Sequence, residues 1–96
     1  MSQPLIFNFR LYVAGDALNS AQALSNLTSL CRTRLPDRHQ IEVVDVYLEP
    51  KRALADGIFM TPTLIKLTPS PSQKMVGSLN RIQPLLLMLG LETPAA

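Results

Sequence analysis

GIFMTPTLIKLTPSP, residues 57–71, sets a threonine on each side of Pro62 at the mouth of an apolar run and ends that run with two more prolines. The run over 63–67 is short, apolar and bounded by turn residues, which reads as a buried strand. Proline has no N–H to give to a sheet ladder, so it belongs at a strand's first residue, at an edge or at a kink. A cis bond before it turns the chain sharply into the strand. The stretch therefore predicts a core strand that starts just after Pro62, with Thr61–Pro62 cis.

Working outward, TPSPSQ is a turn and residues 74–77 (KMVG) a short return strand, so the two strands form an antiparallel hairpin. Upstream, Pro50 is preset for the first turn of a short helix, KRALAD, which Gly57 ends. IEVVDV (41–46) is β-branched and reads as a strand. In NSAQALSNLTSLCRTRL, the residues Ala23, Leu24, Leu27, Leu30 and Cys31 recur at helical spacing. Asn19 and Gln22 make a capping box for this helix, and Arg32 and Arg34 suit its C-terminal end. LIFNFRLYV (5–13) alternates: Phe7, Phe9, Leu11 and Val13 share one face, Ile6, Asn8, Arg10 and Tyr12 the other. SLNRIQPLLLML closes the chain as a helix capped by Ser78 or Asn80.

The order is β-α-β-α-β-β-α. A strand-helix-strand unit gives a parallel pair with a right-handed crossover. Combined with the hairpin, it leads to strand order 2-1-3-4, with the second strand at an edge and helices on both faces. This is a thioredoxin-like α/β sandwich. The whole chain, 1–96, is expected to be a single domain with a flexible tail at 92–96.

Composition narrows the function. Of 96 residues, 47% are hydrophobic and 17% charged, which excludes a disordered chain. Nine Lys or Arg face seven Asp or Glu, and the basic residues are spread along the chain beside acids. With no Trp, two Tyr and three Phe, neither a basic patch nor a base-stacking platform for nucleic acid is present. The N-terminus lacks the features of a signal peptide, and the apolar run at 85–89 is far too short to span a bilayer. A single cysteine fits a reducing compartment. The expectation is a soluble cytoplasmic protein.

The catalytic inventory is thin. Redox members of the thioredoxin-like fold carry a reactive cysteine where the first helix begins, because the helix dipole lowers its pKa. Here that position reads GDALNS, with no cysteine. Cys31 falls about three turns later on the apolar face, as a core residue. His39 reads as a solvated loop residue with no metal-ligand spacing around it. Asp45 reads as an exposed edge-strand acid beside a cation. No Gly-rich phosphate loop occurs. The residues predict no catalytic site, no cofactor and no metal.

LYVAGDALNSAQAL, IEVVDVYLEP, MTPTLIKLTPSP and MVGSLNR together resemble the KaiB family of circadian-clock regulators, over nearly the whole chain from residue 5 to about 91. The resemblance implies a non-enzymatic adaptor that binds a KaiC-type ring ATPase, with KaiA or a thioredoxin-like sensor kinase as further partners. It also implies a homo-oligomer, dimer or tetramer, in exchange with monomer. A second packing of the C-terminal half is implied as well, with 1–46 constant, 57–91 able to take two structures, and Gly57, Pro62 and Gly77 at the pivots. QPLLLMLGL is apolar on every side, so its pattern does not separate helix from buried strand. Gln22, Met88 and Gly90 depart from the common family pattern, in the direction of a divergent paralogue. Arg10, Lys51, Arg52 and Lys74 are expected to meet an acidic rim on the ATPase. Replacing Arg10 and Lys74 with Glu is expected to slow association and leave folding intact. The alternative function is a thioredoxin-like adaptor without redox activity in a stress-response or signalling pathway.

Overall fold

The structure is a computed structural model and describes residues 5–91. Its elements are β1 (Phe7–Val13), α1 (Leu18–Arg34), β2 (His39–Asp45), α2 (Pro50–Ala55), β3 (Thr63–Thr68), β4 (Gln73–Val76) and α3 (Ile82–Leu89). One sheet runs β2-β1-β3-β4, with β1 and β2 parallel and the other two pairs antiparallel. Both the strand order and the central position of β1 and β3 are as the sequence predicts. The expected tail at 92–96 lies outside the described residues.

Alternation along β1 divides the core in two. Phe7, Phe9, Leu11 and Val13 point to one face and pack with Ala23, Leu27, Leu30 and Cys31 of α1, Leu64 of β3, and Leu85, Leu86 and Leu89 of α3. Tyr12 points to the opposite face and packs with Val44, Ala53 and Ile65. Among the described residues, that second layer is covered by the six-residue α2 and by Ile58 just after it, so polar β1 side chains on this face find partners rather than apolar cover. The consequence is a sheet with one oily face and one face that is partly ionic.

Thr61–Pro62 is cis, as expected, and so are Thr68–Pro69 and Ser70–Pro71. Pro62 is buried, and its carbonyl accepts the Gly77 N–H at 2.9 Å, tying the start of β3 to the end of β4.

Four local expectations are corrected. The first helix does not use Asn19 as its cap: it starts at Leu18, and Ala17 stands at the N-cap with no side-chain hydrogen bond. The hydroxyl in use nearby belongs to buried Ser20, which accepts the Ala14 N–H at 3.1 Å. The last helix is capped by neither Ser78 nor Asn80. Leu79 takes φ 61 and turns its buried side chain into the core, so the helix begins only after Arg81. His39 is not a loop residue: it opens β2 opposite Phe7, half-buried, with Nδ1 2.7 Å from the Leu35 carbonyl. Among the described residues Asp45 has no ion-pair partner. Its Oδ1 accepts the Tyr47 N–H at 2.8 Å, closing the turn that leads into α2.

Candidate functional site

The ionic face of the sheet converges on Asp56, the residue that follows α2. The Arg10 guanidinium projects from the middle of β1 and donates through Nη1 to Asp56 Oδ2 at 2.9 Å and through Nε to Glu42 Oε1 at 2.9 Å. The Tyr12 hydroxyl donates to Asp56 Oδ2 at 2.5 Å, with the Arg52 carbonyl 3.1 Å away. Arg52 reaches back from α2 to the same Glu42 oxygen at 2.8 Å and to Glu49 at 3.4 Å. The Lys74 ammonium on β4 donates to the Asp56 carbonyl. This network joins β1, β2, α2 and β4.

Two of these contacts depend on strand period. Arg10 and Tyr12 are two apart in β1 and therefore share a face, and Arg10 lies directly opposite Glu42 in the parallel register. The third depends on glycine. Gly57 has φ +69, a left-handed backbone that glycine adopts without strain, at the helix end where Lys74 donates to the Asp56 carbonyl.

Titration follows the geometry. The Glu42 carboxyl is held down at about 2, chiefly by hydrogen bonds from Arg52 and then Arg10. Asp56 is lowered by the Tyr12 hydroxyl first and Arg10 after it, against an opposing burial effect. Arg10 and Arg52 are raised, in both cases mainly by the hydrogen bond to Glu42. Burial is the largest cause pushing Tyr12 up, followed by Asp56. All five groups are locked in their usual charge states at neutral pH. None is poised for proton transfer, which needs a pKa near the working pH.

Three of the four basic residues expected at a partner surface, Arg10, Arg52 and Lys74, are thus brought into one cluster, and Lys51 stands exposed next to it on α2. The cluster is internally compensated, because Glu42, Glu49 and Asp56 neutralise the arginines. Against the expectation that Arg10 and Lys74 can be reversed without affecting the fold stands the observation that Arg10 holds two carboxylates, Glu42 and Asp56. Among the pivot residues, Gly57 meets Lys74 and Pro62 meets Gly77, so all three sit where α2 and the β3–β4 hairpin join.

Sequence reasoning missed the apolar rim of this region. Tyr47 and Leu48 before α2, Leu54 on it, and Phe59 and Met60 after it are all exposed, Phe59 at 90% and Leu48 at 80%. Tyr47, Phe59 and Met60 share a shallow depression of about 180 Å³ with Ala14, Val46 and Ile58. Large apolar residues left in water on α2 and the loops beside it make this region a candidate contact surface. The signal in the sequence was their position, since Tyr47-Leu48 and Phe59-Met60 fall in connecting segments, which run over the surface.

The redox position is empty of thiol. Residues 15–20 carry no cysteine where α1 begins, and Cys31 is fully buried, its thiol pushed up to about 11 by desolvation. Among the described residues no group of His, Cys, Asp and Glu is placed to hold a metal ion. No helix among them is long and apolar enough to cross a membrane.

Fold and site define a thioredoxin-like domain with an exposed apolar rim and no cysteine at residues 15–20, where its first helix begins. In solved structures the fold is matched by the N-terminal domain of Synechococcus elongatus SasA, with a TM-score of 0.75 at 16% identity over 100% of this chain and 94% of that one. Mitochondrial thioredoxin 3 from Saccharomyces cerevisiae matches at a TM-score of 0.67 and 17% identity, over 91% of this chain and 77% of that one. The KaiB domain matches residues 10–91, and the chain belongs to the KaiB family. The circadian clock protein KaiB3 of Synechocystis sp. (strain PCC 6803) is 39% identical over 80 residues, 83% of this chain and 78% of that protein. The circadian clock oscillator protein KaiB of Synechococcus sp. (strain RCC307) is 35% identical over 91 residues, 95% of this chain and 83% of that protein.

Proposed function

We propose that this protein is a non-enzymatic clock adaptor that docks on a KaiC-type ring ATPase and modulates its phosphorylation and ATPase cycle. The observation that carries the reading is the exposed apolar rim of Tyr47, Leu48, Leu54, Phe59 and Met60 beside the basic Lys51. An apolar centre with a charged margin is the anatomy of a protein-protein contact. The ion network behind it holds α2 in place, so the surface is presented preformed and loses less entropy on binding. The likeness in shape to the SasA domain supports a further partner relation, in which a sensor kinase domain of this fold competes for the same ATPase. KaiA, a cytoplasmic setting, exchange between oligomer and monomer, and a second packing of 57–91 belong to the same reading.

Binding of purified KaiC-type ATPases, with and without nucleotide, tests it. Phe59→Ser and Leu48→Ser are expected to weaken binding at least about tenfold, as for central contact residues. Thermal unfolding of both variants should stay near the parent. Parent-like binding by both, or no binding of any such ATPase by the parent, overturns the reading.

A further inference from the structure

The segment between α2 and β3 is pinned at both ends. Ile58 donates its N–H to the Ala53 carbonyl at 2.9 Å and packs against the second core layer, and Pro62 is buried at the mouth of β3. Between these anchors the Thr63 hydroxyl donates to the Met60 carbonyl at 2.6 Å. Phe59 and Met60 are left standing outside the core, Met60 at 64% exposure. Met60 differs chemically from the rest of the rim. A thioether sulfur is oxidised by mild peroxide, whereas the side chains of Leu48, Leu54 and Phe59 offer it no comparable atom. Met75 and Met88 carry the same group, but both are half-buried against the oily core layer. The Cys31 thiol is fully buried, and desolvation pushes it up to about 11, so it offers little reactive thiolate. Among the described residues, Met60 is thus the sulfur that a dissolved oxidant meets first.

We propose that Met60 is an oxidation site that switches the docking rim, its thioether taking one oxygen atom from hydrogen peroxide to become a sulfoxide. The sulfur lone pair attacks one peroxide oxygen, so an S–O bond forms as the O–O bond breaks. The displaced hydroxide takes the remaining proton from that oxygen and leaves as water. Sulfur loses two electrons, and the peroxide gains them. The product is a polar, chiral group where the reduced chain presents an apolar one. On the free chain the sulfoxide oxygen stays in water, because the residue is exposed. Pressed into an apolar contact it loses that hydration, which costs free energy unless the partner supplies a donor. Oxidation therefore lowers affinity and leaves the fold alone. Tyr47 and Phe59 line the same shallow depression as Met60, so the change falls among the rim's aromatic side chains rather than at its margin. The inference rests on the reading of this rim as the ATPase contact and adds a redox control to it.

The test treats the chain alone with hydrogen peroxide, removes the peroxide with catalase, and then measures binding to the KaiC-type ATPase. Peptide mass mapping is expected to show the gain of oxygen at Met60 about tenfold faster than at Met75 or Met88. Once Met60 is fully oxidised, binding is expected to weaken about fivefold or more, with an unchanged circular dichroism spectrum. Methionine sulfoxide reductases for both epimers, supplied with dithiothreitol, are expected to restore it, the oxygen leaving as water while the dithiol becomes a disulfide. Met60→Leu is expected to show the same affinity before and after peroxide, whatever that affinity is. A chain with Met75→Leu and Met88→Leu is expected to keep the parent's loss. Oxidation of Met75 or Met88 as fast as Met60 overturns the inference, as does a Met60→Leu chain that loses as much binding as the parent. A reduced parent that binds no such ATPase overturns the ATPase reading and this switch with it. Binding that is present and survives full oxidation of Met60 overturns the switch alone.

Discussion

Asp56 accepts from a tyrosine and an arginine through one carboxylate oxygen and from a lysine through its carbonyl, so one residue fastens the end of α2 to two strands. Asp56→Ala removes the charged acceptor shared by the Tyr12 hydroxyl and Arg10, leaving the hydroxyl only the Arg52 carbonyl, and is expected to destabilise the domain by about 1–3 kcal/mol, read as a fall in the urea midpoint. Tyr12→Phe together with Asp56→Ala should cost less than the sum of the two single changes, because both remove the same bond. Acid stability tests Glu42. Its carboxyl titrates near 2 in the folded chain against an ordinary 4.5. A lowered folded pKa contributes stability that is fully present above the unfolded value and lost as pH falls through the folded one. Unfolding midpoints should therefore drop between about pH 4.5 and 2, and Glu42→Gln should flatten that slope. The side chain is 48% exposed, so solvent screening keeps the effect modest. Neither residue stood out in the sequence, because nothing local marks Glu42 or Asp56 as partners of residues 32 and 46 positions away. Cys31 was legible, since its place in the apolar period of the helix was enough.

At the scale of elements, strands were legible because period and β-branching agree, while helix starts were not. The capping-box pattern at Asn19 is real, but the chain enters α1 two residues earlier, where the Ala17 N–H bonds the Ala14 carbonyl and Ala17 accepts from Ala21. Tertiary placement of Ser20 under the β1 end outweighed a local signal worth about 1 kcal/mol. The unused cap supplies a prediction. Ala17 has φ −56 and ψ 144, an extended backbone suited to a capping side chain, and it is exposed. Ala17→Asp or Ala17→Ser is expected to stabilise the domain by about 0.5–2 kcal/mol. Asp should exceed Ser at low ionic strength through its favourable charge at the helix start. An unchanged or lower melting temperature for both variants would show that the first turn of α1 is satisfied in another way. The last helix behaves similarly. Leu79 had no sequence signal for a left-handed backbone, and its burial delays the helix past both expected caps.

For the molecule as a whole, topology followed from order alone, because one crossover, one hairpin and a central first strand leave a single simple arrangement. Charge did not follow, because a count of nine cations against seven anions says nothing about which are already paired. Arg10 and Arg52 spend their charge on Glu42, Glu49 and Asp56, and Lys74 is held at the Asp56 carbonyl. Lys51 is exposed and, among the described residues, engages no hydrogen bond or ion pair. Next to the apolar rim, it is therefore a cation free to act on an approaching partner. Rim charges act mainly on the association rate, and salt screens them over about 8–10 Å. Lys51→Glu is expected to slow association with a KaiC-type ATPase several-fold at low salt. The difference should shrink towards nothing as salt is raised, and stability should stay within about 0.5 kcal/mol of the parent. Arg10→Glu should behave otherwise. It sets a third carboxylate against Glu42 and Asp56, so it should lower stability first and binding only as a consequence. Stopped-flow association of both variants over a salt series, with unfolding measured alongside, separates the two roles. A Lys51→Glu variant that associates at the parent's rate at low salt would remove charge steering from the mechanism and leave the apolar rim to account for binding.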